Sequence, residues 1–84
     1  MNPPKYDKFD VVKFDIQMFD GSKRTFEGYI AIVDKYGTFK QSEEPSYDIY
    51  VPKMNTLFKH IREYGVEFVK KPKKSELNKW KKEF

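Results

Sequence analysis

The residues that could do chemistry in this chain are few, and the largest group of them is a cluster of lysines. Residues 70–84 contain seven lysines against two glutamates, whereas residues 1–69 carry ten basic side chains against eleven acidic ones. A cluster of like charge raises the local concentration of polyanions and steers their encounter. We therefore expect the partner to be an acidic macromolecule, either protein or nucleic acid.

No catalytic arrangement accompanies this charge. His60 is the only histidine, and the chain has no cysteine, so a metal site or an acid–base pair lacks its usual partners. The carboxylates do not form the ligand series of a calcium loop, and the serines lack a Gly-x-Ser-x-Gly elbow. Solvated strand faces and turns account for these residues. We expect no catalytic residue, metal or cofactor and no small-molecule substrate, which is typical of a binding protein rather than an enzyme.

Length and composition indicate one small domain. The 84 residues are 36% charged but also 18% aromatic, and aromatic side chains supply the large buried areas that a small core needs. No apolar run approaches the roughly 20 residues of a membrane span, and no signal peptide is recognisable. The absence of cysteine suits a reducing compartment. We expect a soluble, cytoplasmic protein.

Three segments of alternating hydrophobicity predict strands. Val12, Phe14, Ile16 and Met18 alternate with polar residues, and the turn signal Asp20-Gly21 predicts a hairpin to a second strand. That strand places Phe26, Gly28, Ile30 and Ile32 on its inner face, with Gly28 at a bulge or sharp coil. Residues 47–51 form the third strand, which ends at Pro52.

Residues 54–69 have two interpretations. Met54, Leu57, Phe58 and Ile61 recur at helical spacing, with Asn55 as an N-cap. Alternatively, residues 56–61 form a strand, residues 62–65 a tight turn and residues 66–69 a last strand. We favour the strands, because short β-rich chains usually pair consecutive strands and few residues remain for a helix plus closure.

The chain divides into a body, which is expected to fold, and two end segments, which are not expected to fold on their own. Residues 1–8 form a flexible lead-in, residues 9–69 the body, and residues 70–84 a lysine-rich tail. In that tail Ser75 caps a short amphipathic helix whose apolar stripe is Leu77, Trp80 and Phe84. Such a short helix is not stable alone, so it needs a surface, which is either its own barrel or a partner.

This order of elements resembles an SH3-like antiparallel barrel of about five strands, a mainly β fold. The segments Ile32-Val33-Asp34-Lys35-Tyr36-Gly37-Thr38-Phe39, Glu44-Pro45-Ser46-Tyr47-Asp48-Ile49 and Leu57-Phe58-Lys59-His60-Ile61 resemble small uncharacterised phage and prophage proteins of low-GC Gram-positive bacteria. The resemblance covers roughly residues 12–69. It implies an accessory phage role, in which a small protein binds and blocks a host protein, although the fold alone does not fix the function. If a phage encodes the chain, the cytoplasm in question is that of the host cell.

The candidate binding residues combine aromatic and basic side chains. If even positions of the first two strands face inward, Phe19, Tyr29, Tyr36 and Tyr50 are exposed, and they anchor a protein interface or stack bases. The full candidate set is Tyr29, Tyr36, Tyr50, Lys35, Lys40, Lys53, Lys70, Lys71, Lys73, Lys74, Lys79, Trp80, Lys81 and Lys82. We expect an inhibitor of a host protein that handles nucleic acid, or of a nucleoprotein. The alternatives are direct, largely non-specific nucleic-acid binding and a purely solubilising tail. A homodimer through an unpaired strand edge also stays open.

Overall fold

Five antiparallel strands and one α-helix build the protein. The computed structural model describes residues 3–35 and 44–84. The elements are β1 (Val11–Gln17), β2 (Lys23–Asp34), β3 (Ser46–Val51), β4 (Thr56–Arg62), β5 (Val66–Lys70) and α1 (Lys74–Glu83). One-turn 3-10 helices at Pro52–Met54 and Glu63–Gly65 connect β3 to β4 and β4 to β5.

All strands belong to one sheet with the order β4-β3-β2-β1-β5. The predicted mainly β class, with five antiparallel strands and a short C-terminal helix, is confirmed. The strand interpretation of residues 54–69 is confirmed as well, because Asn55 ends a 3-10 helix in a left-handed conformation instead of starting an α-helix. In the described residues β4 and β5 are the two edges, so hydrogen bonds between strands do not close the sheet into a barrel.

An extra residue in β2 overturns part of the predicted alternation. Ile30 pairs with Ile49 and Ile32 with Asp48, so Ala31 is a bulge. The bulge shifts the faces by one residue: Ala31 is fully buried, whereas Ile32 is 50% exposed. The prediction that Ile32 faces inward is therefore wrong.

Gly28 lies where β2 passes close to β3. A Cβ atom at this position would approach the carbonyl oxygen of Tyr50 to 2.3 Å, closer than any side chain tolerates. Glycine therefore permits the sharp coil of the long strand, and the bulge follows three residues later at Ala31.

The inner core lies on the concave side of the sheet. Its buried members are Val12, Phe14, Ile30, Tyr47, Ile49, Val51 and Val66. The rings of Phe14 on β1 and Phe58 on β4 are 5.3 Å apart, although two strands separate these elements in the sheet order. The sheet is therefore strongly curled, and aromatic side chains bring its distant strands together.

A second cluster covers the other side of the sheet. This outer cluster consists of Phe9, Val11, Tyr29 and Trp80, with Tyr50 and Leu77 packed against it. It joins the chain before β1 to helix α1, so the middle of β2 is buried on both faces. No helix in the described residues has the length and apolar character that crossing a bilayer requires.

Both predicted tails make specific contacts with this body. The N–H of Lys5 donates to Glu63 at 3.0 Å, and the hydroxyl of Tyr6 donates to the carbonyl of Val66 at 3.1 Å. Lys5 and Tyr6, which belong to the segment predicted as a lead-in, therefore contact the body through these hydrogen bonds. Ser75 is not the cap that the sequence predicted, because α1 begins at Lys74 and Lys73 is its N-cap residue.

Candidate interaction surface

Helix α1 is held on the sheet by a stack of aromatic rings. The indole of Trp80 lies 4.0 Å from the ring of Tyr29, with an angle of 13° between their planes. The hydroxyl of Tyr29 donates to Glu83 at 2.8 Å. Burial, aided by the Glu83 carboxylate, raises the pKa of Tyr29 well above its usual value. Tyr29 is therefore a neutral hydrogen-bond donor that fixes the end of α1.

Two lysines of the tail fix the linker that leads into α1. Lys71 forms ion pairs with Asp7 at 2.9 Å and with the buried Asp10 at 3.0 Å, and its hydrogen bonds to these carboxylates raise its pKa. Lys70 pairs with Glu76 at 3.5 Å. Both lysines are candidate binding residues, and in the structure each forms ion pairs with carboxylates of the protein itself.

Glu76 completes the start of the helix. Its carboxylate accepts the backbone N–H of Lys73 at 3.0 Å. This hydrogen bond is the main cause that lowers the pKa of Glu76, and the charge of Lys70 adds to it. Both carboxylates of residues 70–84, Glu76 and Glu83, are thus used inside the molecule.

The remaining lysines of α1 form one exposed surface, which we call the lysine face. It consists of Lys74, Lys79, Lys81 and Lys82. At 3.6 residues per turn they span about 160° of the helix circumference, opposite the side of Leu77, Trp80 and Phe84. Among residues 3–35 and 44–84, no carboxylate forms an ion pair with any of the four. They are therefore available to an external anion.

The predicted aromatic surface differs most from the sequence expectation. Tyr29 and Trp80 are 1% and 8% exposed, so neither is available as an anchor or a stacking platform. The prediction that Tyr29 is exposed is wrong, because α1 covers the outer face of β2. Tyr50 is half-buried, and its ring packs 5.4 Å from that of Phe84. Phe19, at the hairpin, is exposed as predicted.

The other predicted basic residues do not join the lysine face. Lys35 directly follows β2, whereas Lys53 follows β3, and these positions lie at opposite ends of the β2–β3 ladder. Lys73 is exposed at the start of α1. Tyr36 and Lys40 lie outside the described residues.

Tyr64, which was not among the predicted binding residues, is 78% exposed on the 3-10 helix Glu63–Gly65. Its place in the predicted tight turn was known, but the turn alone gave no sign that its backbone is anchored. The N–H of Tyr64 donates to Glu44 at 2.6 Å, and that of Glu63 donates to the carbonyl of Pro45 at 3.1 Å.

His60 has a structural place in β4. Both Lys59 and His60 lie opposite Asp48, so β4 carries a bulge here, and His60 adopts a left-handed conformation with φ of 61°. Asp48 accepts the backbone N–H of His60 at 3.0 Å. Within the described part of the chain, no group of three His, Cys, Asp or Glu residues could hold a metal ion.

Comparison with known proteins adds no relative. No family model, no curated protein and no solved structure matches this chain.

Proposed function

We propose that this protein is a non-enzymatic binding module that docks on an acidic macromolecule through the lysine face of α1. The observation that carries the proposal is the separation of charges in residues 70–84. Glu76 and Glu83 are bound internally, while Lys74, Lys79, Lys81 and Lys82 point outward without ion pairs in the described structure.

The packing of α1 supports binding by a preorganised surface. Because Trp80 is 92% buried against the sheet, the helix is presented in one orientation, and less conformational entropy is lost on binding than with a free tail. Lysine is a point charge without the planar, bidentate geometry of arginine. The surface therefore suits an extended field of negative charge better than a single carboxylate or phosphate.

An acidic protein is the first partner to test. The resemblance to small phage and prophage proteins implies that the chain binds and blocks a host protein. Within that class we propose a host protein that handles nucleic acid, in which an acidic surface, or the nucleic acid of a nucleoprotein complex, supplies the negative field that the lysine face requires. Occupying that surface would inhibit the host protein. This partner fits the burial of Tyr29 and Trp80, because base stacking is not needed.

The test is capture of a host protein from nuclease-treated lysate, followed by measurement of its affinity. Lys79→Gln/Lys82→Gln removes two charges from the lysine face, and Lys5→Gln/Lys59→Gln removes the same charge elsewhere on the exposed surface. At about 0.5–1 kcal/mol for each exposed ion pair, the first variant should bind about 5- to 30-fold more weakly. Equal affinity of the two variants would contradict the proposal.

Direct binding of duplex nucleic acid is the second candidate, favoured by the one sign of charge along the lysine face. Its signature is an affinity that falls with salt, with a log–log slope of at most about −3.6 for four phosphate contacts. Fluorescence anisotropy with labelled duplex DNA at several salt concentrations measures this slope. Weak binding that is equal in the two double variants would eliminate this candidate.

A further inference from the structure

Hydrogen bonds at both ends of β1 fix the direction in which its backbone groups point. Ile30 and Asp10 are bonded as partners, with the N–H of Ile30 donating to Asp10 at 3.0 Å. Eight residues later, the N–H of Met18 donates to Ser22 at 2.7 Å in the same register. Because backbone groups alternate along an antiparallel strand, the even residues of β1 face β2. The odd residues, including Asp15 and Gln17, face the opposite side.

On that opposite side, β5 ends too early to reach the end of β1. Val66, the first residue of β5, pairs with Phe14, and no described strand continues beside Asp15 and Gln17. Because Phe14 faces β2, its pairing with Val66 brings the backbone groups of Asp15 to those of Gly65. No described strand bonds to either backbone group of Gln17, which face away from β2. One donor and one acceptor of the ladder are therefore open.

These open groups face a groove, which we call the edge groove. It consists of two adjoining cavities of about 380 and 450 Å³ that share Asp15, Tyr64 and Gly65. The ring of Tyr64 lies on its rim, and the backbone hydrogen bond to Glu44 holds that residue in place. An exposed aromatic side chain on an anchored backbone is typical of the central contact of a protein interface.

The charge of the edge groove favours an acidic ligand. Lys13, Lys23 and Arg62 line it without ion pairs in the described structure. Asp15 already accepts a hydrogen bond from the hydroxyl of Thr25 at 2.5 Å. Glu67, the other carboxylate of the lining, lies directly opposite Lys13 in the β1–β5 ladder. The net charge of the groove lining is therefore positive, but smaller than that of the lysine face.

The other edges of the sheet are poorer templates. β4 is bulged at Lys59 and His60, and β5 is bulged at Val69, because Lys70 and Phe68 pair with the consecutive residues Val11 and Val12. Bulges twist an edge and interrupt its ladder, which protects it from a further strand. The register of β1 against β2 is continuous from Val11 to Gln17.

We propose that the edge groove binds an extended acidic peptide segment of a partner protein, which adds as a short strand to β1 at Gln17. The main chain of the peptide pairs with the open ladder groups, a side chain packs on Tyr64, and its carboxylates lie near Lys23 and Arg62. Strand addition of this kind draws affinity from main-chain hydrogen bonds. The site is separate from the lysine face and does not depend on the proposed function.

The experiment is a titration followed by amide NMR. The probe is a short peptide of alternating valine and glutamate, compared with the same peptide carrying N-methyl groups on its valines. N-methylation leaves side chains and charge unchanged but removes main-chain donors. In the free protein, the amide of Gln17 should exchange quickly with solvent. The unmodified peptide should shift and protect it, and the N-methylated peptide should bind about tenfold more weakly or worse.

Protein variants add an independent control. Tyr64→Ala should lower the affinity for the peptide at least severalfold. Phe19→Ala removes an exposed ring outside the groove and should leave the affinity unchanged. Equal binding of the two peptides, or a protected amide of Gln17 in the free protein, would overturn the proposal. Chemical-shift changes confined to α1 would also overturn the proposal, and they would instead support binding of the acidic peptide by the lysine face. A groove that responds to single-stranded oligothymidylate but not to the peptide would replace it with a nucleic-acid site.

Discussion

Replacing Trp80 with alanine tests whether α1 is part of the fold or a loosely attached tail. The indole is 92% buried, and it is the contact through which α1 enters the outer cluster. Buried aromatic side chains typically remove about 150–250 Å² from water, which at about 25 cal/mol per Å² corresponds to about 4–6 kcal/mol. Measured truncations of this kind cost about 3–5 kcal/mol.

That loss is large compared with what else holds the helix. Leu77 is only half-buried, Phe84 is 40% exposed, and a single hydrogen bond joins Glu83 to Tyr29. The ion pairs of Lys71 act on the linker before the helix, and the ten residues of α1 are too few to be helical alone. We therefore expect Trp80→Ala to release and unfold α1, while the inner core of the sheet stays folded.

Amide hydrogen exchange resolved by residue is the assay. Protection of the α1 amides should disappear, and protection at Ile49 in the inner core should remain. Trp80→Phe, which keeps an aromatic ring against Tyr29, should retain most of the α1 protection. Trp80→Ala removes no charge. Any loss of polyanion binding by this variant would therefore come from the unfolding of α1 and not from a change in net charge. Unchanged exchange in α1 would refute the account of how the helix is held.

Four further predictions follow from the same contacts. Lys71→Met leaves the buried carboxylate of Asp10 without its cation, although the backbone N–H of Asp7 still donates to it. The free energy of unfolding should therefore fall in denaturant titrations, and an unchanged midpoint would contradict the pairing. The raised pKa of Tyr29 means that its stabilisation is full below the usual pKa of 10.0 and is lost as pH rises through the folded value. Burial and Glu63 raise the pKa of Tyr47 in the same way, so absorbance of tyrosinate should show two late-titrating rings, of which Tyr29→Phe removes one. Gln17→Pro deletes an N–H that faces the groove and should lower the free energy of unfolding by less than about 1 kcal/mol. Ile16→Pro deletes an N–H that faces β2 and should lower it by about 2–4 kcal/mol. Thermal unfolding compares the two, and equal costs would contradict the ladder direction. Gln17→Pro should nevertheless lower the affinity of the edge groove for the acidic peptide, and calorimetry can measure this affinity.

The sequence pattern predicted the strands well because half-buried strands impose a period of two. The alternation in β1, the Asp-Gly hairpin signal and the stop at Pro52 each express a local preference of the backbone. The failure at Ile32 has a different cause, because a bulge adds one residue to one strand and its position depends on the partner strand. Nothing in β2 alone marks Ala31 as that residue.

The candidate site was harder to predict than the fold, because burial depends on what covers a strand. Tyr29 lies at an outward position by alternation, and only the docking of α1 makes it part of a core. The tail helix and its apolar stripe were predicted, but the sequence left its docking surface open between the barrel and a partner. Tyr64 was missed because the anchoring of its backbone by Glu44 joins residues that are 20 positions apart.

The docking of α1 also determines how many of the seven lysines are left for an external partner. Seven lysines in residues 70–84 indicate a uniform basic tail, yet Lys70 and Lys71 neutralise carboxylates of the protein itself. The lysine face therefore carries four of the seven charges, but it carries them on a fixed helix. If the total charge of residues 70–84 governs binding, Lys70→Gln and Lys82→Gln should lower the affinity for a polyanion equally. If the position of the lysines on the fixed helix governs binding, Lys82→Gln should lower that affinity by removing a contact. Lys70→Gln should then act only through the start of α1, with its effect visible in the exchange of the α1 amides.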